Sequence, residues 1–130
     1  MKLCPYCAFY KVPVNKELES VFLKNVLAEI DSYLQRYGRL SIDTIYFGGG
    51  TPNVLSKTTF EQIVATIHDS FDVLNNSEFT MEVNPGVHAQ SKLVFFEQMG
   101  VNRLSIGAQS FNQAVLDEYG RNHTVRDTFI

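Results

Sequence analysis

The sequence predicts an α/β fold, a portion of a partial (β/α) TIM-like barrel with roughly three complete strand–helix units. Three observations point there. A unit recurs along the 130 residues: a short strand, a glycine or polar loop, then an amphipathic helix. That alternation is the mark of a parallel sheet with helical crossovers. The strands place apolar residues on one face and small or polar residues on the other, whereas a flat, doubly wound sheet buried on both faces tends to carry continuous apolar runs. Finally, the polar residues gather where the strands end, which is where barrels keep their chemistry.

The first helix is expected between Asn15, a residue suited to capping a helix start, and Gly38, suited to the position after a helix end. Within it Leu18, Val21, Phe22, Val26, Ile30, Tyr33, Leu34 and Tyr37 fall on one side at helical spacing, with Glu17, Lys24, Asp31 and Gln35 on the other. Ser41–Phe47 reads as the first strand, in which Ile45 and Phe47 oppose Thr44, Tyr46 and Gly48, and Gly48-Gly49-Gly50 breaks it. Ser56 caps a second helix with the stripe Phe60, Ile63, Val64, Ile67 and Phe71. Asn75-Asn76-Ser77 reads as a loop, and residues 78–83 as a strand stopped by Asn84-Pro85-Gly86. There Phe79, Met81 and Val83 share one face, while Thr80, Glu82 and Asn84 share the other. Leu93, Phe96 and Met99 mark a third helix ending at Gly100. In the last strand, residues 103–108, Leu104, Ile106 and Ala108 oppose Ser105, Gly107 and Gln109, and a fourth helix begins over residues 112–119.

Composition narrows the function. Hydrophobic residues make up 45% of the chain, enough for one core. Lys+Arg 11 against Asp+Glu 14 gives a net charge of −3, with no basic run to meet nucleic acid or an anionic membrane. No apolar stretch approaches the ~20 residues of a membrane span, and no secretory signal opens the chain. Two cysteines in one tight pair are no disulfide framework. The expectation is a soluble, cytoplasmic protein.

Three features can carry chemistry. Cys4-Pro5-Tyr6-Cys7 can grip a metal or cluster, form a redox disulfide as in the glutaredoxin-like sequence it resembles, or be two small buried residues. Zinc needs about four ligands, and His68, His88 and His123 are scattered. Pro13 leaves little room for the helix that a glutaredoxin-type site places at the pair. Three glycines before Thr51-Pro52 let a ligand approach the backbone, yet they form neither a Walker A loop nor a dinucleotide fingerprint. Glu82, on the polar strand face, needs a cation, amine or hydroxyl partner, for which Arg103 is a structural candidate. Gln109 holds the matching place one strand on, and Arg121 follows in Gly120-Arg121-Asn122-His123. Singly these read as a satisfied polar residue and a surface charge. With the glycines they describe a polar ring for an amino-acid-like or ribose-bearing ligand.

Five blocks then occur in order: Cys4-Pro5-Tyr6-Cys7-Ala8-Phe9, Tyr46-Phe47-Gly48-Gly49-Gly50-Thr51-Pro52, Glu82-Val83-Asn84-Pro85, Arg103-Leu104-Ser105-Ile106-Gly107-Ala108-Gln109-Ser110-Phe111 and Gly120-Arg121-Asn122-His123-Thr124. Together the chain resembles the radical S-adenosylmethionine (SAM) proteins related to oxygen-independent coproporphyrinogen III oxidase. The resemblance implies a [4Fe-4S] cluster on a C-x-x-x-C-x-x-C motif, with Cys4 and Cys7 at its second and third positions. It implies that Tyr6 lies near the SAM adenine and that Gly49, Gly50 and Thr51 receive the SAM amino group. Glu82, Gln109 and Arg121 match contacts to the ribose and methionyl parts. It also implies haem or a porphyrinogen as ligand, a haem-accepting protein, and an electron donor such as a flavodoxin or ferredoxin.

The first motif cysteine would stand four places before Cys4, immediately upstream of Met1, and residues 124–130 stop in an apparent helix. Residues 1–130 are therefore expected to be an incomplete core domain, a fragment inactive alone. The oxidase branch carries a further cysteine two places after the last cluster cysteine. Phe9 stands there, so the chain looks closer to the haem-chaperone (HemW) branch. The alternatives are the coproporphyrinogen oxidase itself and, more distantly, a dithiol oxidoreductase using Cys4 and Cys7.

Overall fold

A computed structural model of the chain describes residues 4–86 and 90–129; His88 lies outside them. Helix α1 spans Lys16–Tyr37, strand β1 Ser41–Phe47, helix α2 Lys57–Ser70, strand β2 Asp72–Val83, helix α3 Gln90–Gln98, strand β3 Arg103–Ile106 and helix α4 Gln113–Glu118, with short 3-10 turns at Pro52–Val54 and Val125–Thr128. The described strands form one parallel sheet in the order β1-β2-β3. This is the α/β sheet with helical crossovers expected from the alternation, and it is consistent with part of a barrel.

Local chemistry sets the helix limits. The Asn15 side chain accepts from Leu18 N at 2.8 Å, and Gly38 closes α1 with φ 71°. Ser56 Oγ accepts from Thr59 N at 3.2 Å to start α2. At the end of α3, Gly100 takes φ 98°, its N–H donating to Glu97 O while Val101 N donates to Phe96 O. This reciprocal closure satisfies two carbonyls that a helix end leaves unpaired, and glycine takes the left-handed position at least cost.

The core lies between the sheet and helices α2 and α3. Phe60 and Val64 of α2 and Phe95 and Phe96 of α3 pack on Ile45, Phe79, Met81 and Val83. The apolar strand faces thus point outward to the helices. The opposite face is open at Tyr46 and Ser105. Thr80 is the exception: it is fully buried, donating to Glu78 Oε1 and accepting from Arg103, whose guanidinium also meets Glu78 at 3.1 Å.

Five expectations need correction. Asn75-Asn76-Ser77 is no separate loop but part of β2, in a wide bulge where residues 74–77 stand opposite Asp43. Side chains replace the ladder there. Ser77 Oγ bonds to Ile42 O and Leu74 O, and Asn102 bonds to Ser77 O and Phe79 N. The last strand ends at Ile106 rather than Ala108, because Ala108 N closes a tight turn onto Ile106 O at 2.9 Å. Leu104 and Ile106 stay exposed, since α3 directs its buried rings under β2. The apolar stripe of α1 contains no buried residue. With β1 it lines a groove of about 520 Å³, formed by Phe22, Val26, Ile30 and Tyr33 opposite Ile42 and Ile45. At the C-terminus a capped 3-10 turn stands where a helix was expected. No helix among the described residues is long and apolar enough to cross a membrane.

Candidate functional site

The cysteine pair sits on a turn rather than at a helix start. Cys7 N donates to Cys4 O at 3.2 Å, and the Lys11 ammonium donates to both Cys4 O and Cys7 O. Both thiols are free and half-buried. Tyr6, between them, lays its ring 5.2 Å from that of Tyr119. Burial and a hydrogen bond with Cys4 push the Tyr6 hydroxyl above its usual range.

Arg121 ties this turn to the sheet. Helix α4 ends at Gly120, φ 64°, with Arg121 N donating back to Leu116 O at 2.9 Å. The guanidinium has five N–H groups in a rigid fork, and all five find partners. Nη1 donates to Cys4 Sγ at 3.2 Å and to Tyr6 OH at 3.1 Å. Nη2 donates to Asn84 Oδ1 at 2.8 Å and to Gly107 O at 2.9 Å, and Nε to His123 Nδ1 at 3.4 Å. Arg121 is therefore no surface charge but the bond between the cysteine turn and two strand ends. A Cβ on Gly107 would stand 2.8 Å from Asn84 Oδ1, so a side chain there would displace the amide that accepts from Arg121.

Asn84 extends the same network. Its Nδ2 donates to Thr51 Oγ1 at 2.8 Å, and its backbone exchanges bonds of 3.3 and 3.4 Å with the buried side chain of Asn53. The end of β2 thereby anchors the loop after β1. On the same face, two residues earlier, Glu82 accepts from Tyr46 OH at 2.5 Å and from Gly49 N at 3.0 Å. The partner is a hydroxyl and a backbone amide, as the chemistry required, while Arg103 pairs with Glu78 instead. The carboxylate bond, followed by desolvation, raises the Tyr46 hydroxyl above its usual value.

The glycines have separate reasons. Gly49 and Gly50 take φ 77° and 57°, with open space where a Cβ would be. A Cβ on Gly48 would stand 2.3 Å from the Tyr46 ring and push it off Glu82.

Gln109 projects from the neighbouring turn. It is exposed, and it alone among the described non-glycine residues has a positive φ, 64°. Such a backbone is uncommon outside glycine and persists where its surroundings hold it. Two groups meet the carbonyl before it: Ser110 N donates to Ala108 O at 2.8 Å, closing the turn across Gln109, and His123, 4% exposed, places Nε2 3.1 Å from the same oxygen. Burial first, then the Arg121 charge, hold the His123 imidazole below its ordinary 6.5.

This shift has a direction in pH. With the folded value below the unfolded one, the unfolded chain takes up the proton first. The stability is full above the unfolded value and falls as pH drops below 6.5. The urea midpoint should therefore fall between about pH 6.5 and about pH 5, with a smaller slope in His123→Gln. Equal slopes in the two proteins would remove His123 from that dependence.

The structure thus gathers Cys4, Tyr6, Thr51 and Arg121 into one network, and Glu82 and Gly49 into a second beside it. Cys7 is joined through the turn, and Gly50 through its loop. Gln109 makes no side-chain hydrogen bond to another described residue. Four further residues belong to the arrangement: Lys11, Tyr46, Asn84 and His123. Asn84 and Tyr46 were signalled by their places on the polar strand faces; Lys11 and His123 had no such periodic signal. Among the described residues no three His, Cys, Asp or Glu side chains form a metal-holding group.

The profile of the Radical SAM superfamily matches residues 1–129. The chain is similar to the heme chaperone HemW of Lactococcus lactis subsp. lactis (strain IL1403), 35% identical over 94% of this chain and 31% of the relative. It is similar to the mitochondrial radical S-adenosyl methionine domain-containing protein 1 of Bos taurus, 34% identical over 97% of this chain and 28% of the relative. Its structure is similar to that of coproporphyrinogen III oxidase (HemN), a radical SAM enzyme of Escherichia coli, with a TM-score of 0.89 and 27% identity over 98% of this chain and 30% of that one. The chain thus spans under a third of the length of each of these relatives. It belongs to the radical SAM superfamily.

Proposed function

We propose that residues 1–130 form part of the core domain of a haem-chaperone-type radical SAM protein, which holds a [4Fe-4S] cluster and SAM and delivers haem to an acceptor protein. The observation that carries this is the Arg121 fork, which joins the cysteine turn to the ends of β2 and β3. Two free, half-buried thiols on one turn fit the second and third ligands of the cluster motif. When bound, the cluster supplies the electron that cleaves SAM.

The chain's own groups do the holding. Tyr6 lies beside the adenine. The backbone of Gly49 and Gly50 and the Thr51 hydroxyl take the SAM amino group. Glu82, pinned by Tyr46 and Gly49, presents its remaining lone pairs to the ribose, while Gln109 and, by giving up its bonds to Cys4 and Tyr6, Arg121 meet the ribose and methionyl groups. Lys11 keeps the turn folded through its two carbonyl bonds. A flavodoxin or ferredoxin is the electron donor in this reading.

The second reading is a coproporphyrinogen III oxidase, favoured by the structural likeness to HemN. Phe9 argues against it, standing 79% exposed where that branch has a cysteine. Dithiol redox chemistry is not favoured. The segment from Cys7 to Asn15 is non-helical, so the pair lacks the helix N-terminus that activates such thiols.

Anaerobic loading of the protein that carries this sequence with iron and sulfide tests the reading. Wild type should gain the visible absorbance of sulfur-to-iron charge transfer and bind SAM by calorimetry. Cys7→Ala should lose the absorbance. Glu82→Ala should keep it yet bind SAM about ten- to a hundredfold more weakly, the worth of a hydrogen bond to a charged group. Full absorbance in Cys7→Ala removes that ligand role. Haem binding without porphyrinogen turnover favours the chaperone; turnover favours the oxidase.

A further inference from the structure

We infer that His123 is a positioning residue, which sets both the Arg121 guanidinium and the Ala108–Gln109 turn for the ligand that those two residues share. Its role toward SAM rests on the function proposed above; its hold on the two protein groups does not. The imidazole stands between them, with Nδ1 3.4 Å from Arg121 Nε and Nε2 3.1 Å from Ala108 O.

These contacts admit one tautomer. Arg121 Nε–H only donates, so Nδ1 must offer a lone pair. Ala108 O only accepts, so Nε2 must carry the hydrogen. The neutral ring with hydrogen on Nε2 satisfies both neighbours; a protonated ring would set an N–H against the guanidinium. The depressed basicity of His123 agrees with the neutral form. The ring is buried, and the Asp127 carboxylate, on the turn that follows it, is engaged by Thr124 N and Oγ1.

The consequence is geometric. Nε is the Arg121 donor that points away from Cys4, Tyr6, Asn84 and Gly107, so holding it fixes the plane in which the remaining four N–H groups lie. Together with Ser110 N, which donates to the same oxygen at 2.8 Å, His123 fixes the peptide immediately before Gln109, the residue with φ 64°. One buried ring thus aligns two residues that reach the site from the loop after β3 and from the end of α4.

The test uses the protein that carries this sequence, labelled with 15N-histidine, beside His123→Phe and His123→Gln. Imidazole 15N spectra of the wild type at neutral pH should show His123 as the Nε2–H tautomer, the signal being assigned by its absence from the variants. Hydrogen on Nδ1, or on both nitrogens, overturns the inference whether or not SAM binds. In the cluster-loaded protein, His123→Phe fills the space without polar atoms and should bind SAM about tenfold more weakly. His123→Gln carries an amide acceptor and donor and should recover part of that loss. A merely space-filling histidine predicts the reverse order, with Phe binding like the wild type. Unchanged affinity in His123→Phe, or no recovery in His123→Gln, overturns the inference. Should His123→Phe fail to fold, the wild-type tautomer and the His123→Gln affinity decide. Absence of SAM binding by the loaded wild type overturns the proposed function instead, and the tautomer still judges the hold on Arg121.

Discussion

Arg121→Met is expected to free the cysteine turn from the sheet and to weaken SAM binding by about ten- to a hundredfold, taking one charge-assisted contact as about 1.5–3 kcal/mol. Methionine keeps most of the aliphatic length but none of the five donors. Asn84 Oδ1, Gly107 O and Tyr6 OH then lose the guanidinium bonds of 2.8, 2.9 and 3.1 Å. Cys4 Sγ loses its donor as well. The first readout needs no cofactor: iodoacetamide should alkylate Cys4 faster in the variant than in the wild type, measured by mass spectrometry of the Cys4 peptide. Arg121→Lys should not restore the site, because an ammonium is a point charge without the planar fork. Unchanged alkylation together with unchanged SAM affinity would show that the fork is dispensable.

Phe60→Ala should produce the largest loss of stability, about 3–5 kcal/mol. The ring is fully buried, with centroids 4.9 Å from Phe47 and Phe96 and 6.1 Å from Phe79 and Phe95. It thus joins α2 to β1, β2 and α3 at once. Removing it leaves a cavity that the sheet behind it cannot close, so the lost dispersion contacts add to the lost burial. Against the 5–15 kcal/mol typical of a whole domain, such a loss leaves little margin. Urea unfolding of the protein carrying this sequence measures it. A cost near 1 kcal/mol, the average for any substitution, would mean that the rings repack.

Glu82 and Arg121 show how far pattern reading reaches. Alternation in residues 78–83 placed Glu82 on the polar face, and desolvation demanded a partner; a cation, an amine or a hydroxyl would each have met that demand. That the hydroxyl is Tyr46, and that Arg103 turns to Glu78, depends on which strands lie side by side. Arg121, read alone, is a surface charge. Only folding brings residues 4, 6, 84, 107 and 123 around it, at separations up to 117 residues.

By itself the sequence determined what local physics controls. Asn15, Ser56, Gly38 and Gly100 bound helices because capping groups act within a turn of themselves. Phe79, Met81 and Val83 face the helices because a strand's side chains alternate. The ordered motif blocks placed the chain in its superfamily. Tertiary structure decided the rest: the bulge that keeps residues 74–77 within β2, the early end of β3, the exposure of Leu104 and Ile106, and the meeting of His123 with Arg121. The bulge and the exposure rest on partners distant in the chain, such as Asn102 bridging Ser77 and Phe79, and His123 is held from Ala108, 15 residues before it, while the early end of β3 is a local turn. A periodicity carries no information about such a partner, because hydrogen bonds and burial are properties of neighbours in space.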